Sequence, residues 1–279
     1  MLTSTTTIID AKDLEIKVRD FFRELGYDAE TQVPVALANQ GSAIVDVVAT
    51  KSQFSLAHKI LFECKFWNSD VPRAIVQSFK MDVLEAGANF GIIVSKQGFQ
   101  SGAYQGVELT TVKLYTFEEL QIAFANEWAI KNIWPLIEQH NTLVDLARVF
   151  DIATPERENY ESKLFNQELK ILHEDLWAST LFPLSVWSDY FDRDAKRIIS
   201  PPANVRFNTD HPDGTPREAI FHDARTMVKC FKDLFSNAFE RWENFNKTYE
   251  KAFFKLPIEK QLALFKLPQK PPLISEEGT

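Results

Sequence analysis

Gly41-Ser-Ala-Ile-Val-Asp-Val-Val-Ala-Thr50 and His58-Lys-Ile-Leu-Phe-Glu-Cys-Lys-Phe66 are two apolar, β-branched runs joined by a short polar link. Each delivers an acidic residue at a defined place, Asp46 on the first run and Glu63 on the second, with Lys65 two residues after Glu63. In a strand, residues i and i+2 point to the same face. Glu63 and Lys65 therefore sit side by side, while Phe62, Cys64 and Phe66 turn the other way, towards a core. If the two strands pair as a hairpin, Asp46 comes opposite Glu63. Two carboxylates beside one ammonium on a half-buried sheet face are costly unless a further cation joins them. A hard divalent ion such as Mg²⁺, held by one or two carboxylates together with waters and phosphate oxygens, meets that need.

The tripeptide Glu-x-Lys alone carries no information, because it recurs at Glu15–Lys17, Glu161–Lys163 and Glu168–Lys170. Context separates Glu63–Lys65 from these copies: a β-branched and aromatic run, an Asp-bearing strand before it and a helix after it. Outward from the two runs, Leu14, Val18, Phe21, Phe22 and Leu25 follow helical spacing, opened by Asp10 or Asp13 and closed by Gly26. Thr31 to Leu37 reads as a strand, and Pro34 places it at a sheet edge. Ile44 to Val48 and Ile60 to Phe66 are the next two strands, with Ser52 to Ala57 linking them. Asn68-Ser-Asp70 caps a helix with Pro72 in its first turn, carrying Ile75, Val76, Phe79, Val83 and Leu84 inward and running to Gly87. Phe90 to Ser95 is a continuous apolar run, as expected of a strand buried on both faces. A short helix from about Phe99 and a strand over Val107 to Leu114 complete the series.

Asp46, a gap of sixteen residues and then Glu63-Cys64-Lys65 resemble the D…ExK signature of the PD-(D/E)xK nuclease superfamily. The flanks narrow the likeness. Leu14-Glu15 and Phe22-Arg-Glu-Leu-Gly-Tyr27 resemble the opening helix of Mrr-like (type IV) restriction endonuclease catalytic domains. Gln77, then Ala86-Gly-Ala-Asn-Phe-Gly-Ile-Ile-Val-Ser95 and Phe99-Gln-Ser-Gly-Ala103, continue that pattern. The resemblance spans roughly residues 10–120. It implies an α/β fold, a restriction-endonuclease-like mixed sheet flanked by helices. It also implies Mg²⁺, with Mn²⁺ able to substitute, bound by Asp46, Glu63 and the backbone carbonyl of Cys64. Lys65 is then the residue that holds the nucleophilic water and offsets phosphorane charge. Gln77 and Glu15 are expected near the metal, Glu15 as an auxiliary ligand; bare of the resemblance, each reads equally as an exposed helix residue. The activity implied is Mg²⁺-dependent endonucleolytic cleavage of DNA, in restriction or anti-phage defence.

The remaining chain resembles no family. A helical pattern from Phe117 to His140, broken at Pro135, leads away from the core. The expected organisation is a loose tail at 1–9, the nuclease domain at 10–120, a connecting helix at 121–144, a mainly helical region at 145–268 and a disordered tail at 269–279. Within that region, residues 145–200 carry aromatic faces at Trp177, Phe182, Trp187, Tyr190 and Phe191. Four prolines, Gly214 and several Asn and Asp make 200–217 a long loop. A helix from about Glu218 to Leu256 follows. Phe254-Lys-Leu-Pro257 recurs as Phe265-Lys-Leu-Pro268, too short for a repeat fold.

A net charge of −8, from 31 basic and 39 acidic residues, is unlike the basic footprint of a free-standing DNA binder. It favours a local basic patch, or delivery to DNA by a protein partner or by homo-oligomerisation through the C-terminal helices. Two cysteines, Cys64 and Cys230, make no disulfide framework and, with no apolar leader or membrane-length run, point to the cytoplasm. Five scattered histidines exclude a zinc cluster of the usual spacing. Two other readings use the same core. One is a structure-specific nuclease or resolvase, told apart by cutting branched but not linear duplex. The other is a non-catalytic interaction or sensor subunit, against which the intact Asp46, Glu63 and Lys65 argue.

Overall fold

In the computed structural model, Asp10 opens the chain's first helix, α1 (Ala11–Glu24), by accepting from the Asp13 backbone N–H at 2.7 Å. The side chain thereby satisfies one of the N–H groups that a helix start leaves without an intrahelical partner. Leu14, Val18, Phe21 and Phe22 form the buried stripe, and Gly26 ends the helix with φ 81°, a conformation glycine adopts freely. The structure describes residues 7–38, 41–53, 56–153, 172, 191–192, 197–198, 205–210, 216–221 and 223–253.

Five strands follow in a sheet whose order is that of the chain: β1 (Asp28–Ala36), β2 (Ser42–Gln53), β3 (Leu56–Lys65), β4 (Phe90–Ser95) and β5 (Val112–Thr116). The pairs β1–β2 and β2–β3 are antiparallel, and β3–β4 and β4–β5 are parallel. Short connections make the antiparallel pairs. The parallel pairs need crossovers, supplied by α2 (Arg73–Glu85) and α3 (Ser101–Val107). The mixed sheet flanked by helices is the architecture the sequence implied, and Pro34 lies on the edge strand, as its missing N–H requires.

Both faces of the sheet are covered. On one, Phe22 packs edge-on against Phe62 at 4.5 Å and Phe124 at 5.2 Å between ring centroids. On the other, Leu61, Ile93, Val112 and Leu114 meet Val76, Phe79 and Val83 of α2. Gly91 is where α2 comes closest, since a Cβ there would overlap Val83. Lysines close the helix ends, Lys51 donating to the Leu25 carbonyl at 3.1 Å and Lys59 to the Ala86 carbonyl at 3.1 Å. Both sit where the helix dipole favours a cation. The chain then enters α4 (Phe117–Ala123), opened by a Thr116–Glu119 capping box, and α5 (Ala125–Asn132).

Some local expectations are corrected. Pro72 itself, not the Asn68–Asp70 cluster, is the N-cap of α2, and no side chain bonds to that helix start. The reason is the extended segment before it: Val71 N–H donates to Gly98 and Gln100 N–H to Val71, fixing that stretch as a bridge rather than a capping turn. Leu84 is exposed, whereas Val83 before it is the one buried in the core under the helix. The returning strand starts at Val112 instead of Val107, since α3 runs on to Val107. The helical pattern from Phe117 divides into three, the third starting at Trp134, so that Pro135 falls in a first turn, where its missing N–H costs nothing.

The chain divides into two compact units, Met1–Lys131 and Asn132–Thr279. In the second, α6 (Trp134–Ala153) buries Leu136, Ile137, His140 and Leu143, and α7 (Ala224–Phe253) buries Met227, Phe231 and Phe235. The 200–217 stretch is not one long loop. Residues β8 (Val205–Asp210) and β9 (Pro216–Phe221) pair as an antiparallel hairpin. The last helix consequently starts at Ala224, capped by Asp223, rather than near Glu218. A second ladder, β6 (Phe191–Asp192) with β7 (Arg197–Ile198), lies where helices were expected. Trp177, Phe182, Trp187, Tyr190, the first six residues and everything after Phe253, the Phe-Lys-Leu-Pro recurrence included, lie outside the described residues. Among the described residues no helix is long and apolar enough to cross a membrane.

Candidate active site

The β2–β3 ladder begins at Val47 opposite Phe62, and the same register carried one step further sets Asp46 across from Glu63. Alternation then places Phe62 and Cys64 towards α1, where both are buried, and leaves Glu63 and Lys65 half-buried on the opposite face. Lys65 Nζ donates to Glu63 Oε1 in an ion pair, with both side chains still partly open to solvent. The same ammonium lies 5.4 Å from the centroid of the Trp67 ring. Neighbouring Lys96 sits 4.3 Å over the Phe66 ring and donates to Asn68 Oδ1 at 2.8 Å.

Asp46 is held from two sides. Its Oδ2 accepts from the Cys64 backbone N–H at 2.7 Å, so the side chain takes a place that a strand carbonyl would ordinarily fill. Its Oδ1 accepts from Gln32 Nε2 at 3.4 Å, and the same nitrogen donates to Glu15 Oε2 at 2.9 Å. Glu15, on the first turns of α1, is thereby brought to the group. On β1, Thr31 pairs with Val47 and Val33 with Val45, but the rung between them, Gln32 with Asp46, is not made. Gln32 has φ 55°, in the middle of a strand. For a residue with a Cβ this left-handed conformation costs about 1–2 kcal/mol.

The electrostatics agree with the geometry. Burial raises the Glu63 pKa, the Lys65 bond opposes that, and the charges of Asp46 and of Asp82 on α2 add to the rise. Glu15 is likewise raised, first by burial, against the Gln32 bond, and further by Asp46. The Cys64 thiol is pushed well up by burial and then by Asp46, Glu15 and Glu63 together, so the fields of all three carboxylates converge on one residue. One lysine does not offset three carboxylates.

That excess charge is the test of whether a divalent cation belongs here. The donors are hard oxygens, two of them from adjacent strands, which suits Mg²⁺ bound by one or two carboxylates and otherwise by water and phosphate. Among the described residues, no group of three or more His, Cys, Asp or Glu is placed to hold a metal ion. The two strand carboxylates would take such an ion only with water and phosphate oxygens completing its shell. Gln77 Oε1 accepts from Lys80 at 3.4 Å, and its Nε2 would meet a Cβ at Gly106 of α3. Gln32, which the sequence pattern does not single out, is a glutamine hydrogen-bonded to the carboxylates.

Residues 7–123 match the family Mrr_cat, restriction endonuclease. This part of the chain is similar to restriction endonuclease catalytic domains. Among solved structures, the chain is similar to the protein of unknown function AF1548, with 21% identity, a TM-score of 0.33 and coverage of 38% of this chain and 57% of that one. It is also similar to the DNA modification-dependent restriction endonuclease AspBHI, with 18% identity, a TM-score of 0.30 and coverage of 38% and 28%. The MspJI restriction endonuclease, in complex with a 27-mer oligonucleotide, aligns with 18% identity, a TM-score of 0.28 and coverage of 42% and 28%. The chain thus spans from 28% to 57% of the length of these structures. No curated protein matches it.

Proposed function

We propose, from the premise that residues 7–123 are a Mrr-like restriction endonuclease domain, that this chain is a Mg²⁺-dependent DNA endonuclease acting in restriction or anti-phage defence. The observation that carries the reading is Asp46 fixed to the Cys64 N–H, one strand away from the Glu63–Lys65 pair, within a cluster whose negative charge exceeds its positive charge.

Asp46, Glu63 and the Cys64 carbonyl would hold the ion, and Mn²⁺ is expected to substitute for it. When bound, Mg²⁺ supplies a Lewis acid for a phosphoryl oxygen and lowers the pKa of a water. The protein's own part is positional and electrostatic. The Cys64 N–H fixes the Asp46 carboxylate, so that no side-chain search precedes binding. Glu63 anchors the Lys65 ammonium through one of its three N–H donors, leaving the others for a water and for the oxygen on which charge develops. A mobile point charge with three rotatable donors suits this task better than the fixed fork of an arginine. Trp67, beside the Lys65 ammonium, offers a stacking face for the nucleic acid. The second compact unit, 132–279, is the natural seat of gating by a protein partner or by self-association, given an acidic chain that lacks a general basic footprint.

The test is incubation of the full chain with modified and unmodified plasmid in Mg²⁺, beside Asp46→Ala, Lys65→Ala and an EDTA control. Nicking or linearisation that all three controls abolish is the expected result. Cleavage that persists in either variant would remove these residues from the mechanism.

A further inference from the structure

Gln32 belongs to the cluster although neither the D…ExK pattern nor its flanks point to it, and two independent features single it out. Its backbone leaves the strand conformation at φ 55° while the β1–β2 register on either side continues unchanged, Thr31 with Val47 and Val33 with Val45. The deviation is therefore local to this residue and is not an inserted bulge. A residue with a Cβ adopts that conformation at a cost, which persists where the surroundings make use of it. The use is visible in the second feature: the exposed carboxamide reaches both Glu15 Oε2, at 2.9 Å, and Asp46 Oδ1, at 3.4 Å. Glu15 is on a helix and Asp46 on a strand, and Gln32 is the side chain whose hydrogen bonds join the two.

We propose that Gln32 is a positioning residue for the cation site, its carboxamide tying Glu15 to Asp46 so that Glu15 acts on the site through Gln32. The inference rests on the reading of Asp46 and Glu63 as cation-binding residues. Two carboxylates repel unless something lies between them, and an amide NH₂ group, with two donors and no charge, can hold both without neutralising either. The pair is left anionic and fixed, ready for a hard cation. Groups that orient ligands in this way ordinarily matter to metal affinity about 10- to 100-fold.

The experiment is calorimetric titration of Mn²⁺ into the full chain and its variants, each also followed by thermal unfolding. Gln32→Ala and Glu15→Gln are each expected to weaken Mn²⁺ binding by about 10-fold. The double variant should be no weaker than the weaker single, because one linkage has been cut twice. Gln32→Gly separates side chain from backbone, since glycine accepts φ 55° freely. It should lose the same affinity as Gln32→Ala while unfolding at a temperature at or above that of Gln32→Ala. Mn²⁺ affinity within about 2-fold of the parent in both Gln32 variants, with Asp46→Ala abolishing binding, overturns the role of Gln32 and leaves the cation reading standing. Strictly additive losses in the double variant overturn the linkage through Gln32. If the parent protein binds no Mn²⁺ that Asp46→Ala removes, the cation reading fails and this inference fails with it.

Discussion

The antiparallel and parallel halves of the sheet share β3 and little else in character. The antiparallel half, β1–β2–β3, holds Gln32, Asp46, Glu63 and Lys65, and it is where a ladder rung is missing and a side chain replaces a backbone partner. The parallel half, β3–β4–β5, is unbroken in register and filled by Ile92, Ile93, Val94, Val112 and Leu114. Each half borders one residue other than glycine at positive φ, Gln32 at 55° and Leu109 at 57°. Gln32 puts the conformation to use, with two carboxylates on its amide, whereas Leu109 projects fully into solvent from the turn before β5. The same backbone deviation is thus part of a site in one place and a plain expense of turn geometry in the other. A fold of this kind separates the tasks: one half is left imperfect to present charge, and the other is packed well enough to tolerate that.

The comparison is sharpened most by Glu63→Gln. Loss of the anionic oxygen should lower DNA cleavage by about 10²–10³-fold, measured as initial nicking rate on plasmid. The same substitution should raise the unfolding temperature of the cation-free protein, because burial and the Asp46 charge already penalise the ionised Glu63. Activity and stability moving in opposite directions is the signature of a functional site. A fall in both would mark Glu63 as an ordinary structural ion-pair member.

In the parallel half the expectation is reversed. Ile93→Ala removes a fully buried side chain between α2 and the sheet and should destabilise by about 2–5 kcal/mol, by denaturant titration. Mn²⁺ affinity of the molecules that remain folded should not change. A selective loss of cation binding at unchanged stability would break the division between halves. A smaller effect is expected from Gly91→Ala, whose new methyl would meet Val83 and Phe79 where α2 crosses β4. Overpacking of that kind costs about 1–3 kcal/mol. Smallest, and opposite in sign, is Leu109→Gly, which relieves the positive φ at a solvent-exposed position. Relief of about 1–2 kcal/mol, less the entropy that glycine forfeits, leaves a gain of about 0.5–1 kcal/mol. Destabilisation there would mean that the leucine side chain has a contact worth more than the strain.

Much of this architecture was legible because periodicity encodes it. Phe62 and Cys64 alternate against Glu63 and Lys65, and Leu14, Val18, Phe21 and Phe22 recur at helical spacing, so hydrophobic pattern alone set the faces. The opposition of Asp46 and Glu63 followed from a hairpin with equal arms. Where the reading failed, local composition and tertiary context disagreed. Proline and aspartate over 200–217 signalled a turn, but the alternation of Val205, Phe207 and Thr209 on its flank was the stronger guide to β8. Asn68–Asp70 had the right residues for a cap, yet bridging between Val71 and Phe99 decided where α2 starts. Gln77 and Gln32 are chemically identical, and only three-dimensional packing tells which amide meets the carboxylates. Nothing in Thr31-Gln-Val-Pro34 announces a left-handed residue, because glutamine has no preference for that region.

The most direct measurement is an anomalous difference map from crystals of the full chain soaked in Mn²⁺. The account predicts a peak between the carboxylates of Asp46 and Glu63 that is absent from crystals of Asp46→Ala. A protein that takes up Mn²⁺ elsewhere, or binds it equally well without Asp46, would contradict the assignment of the β2–β3 hairpin as the catalytic centre.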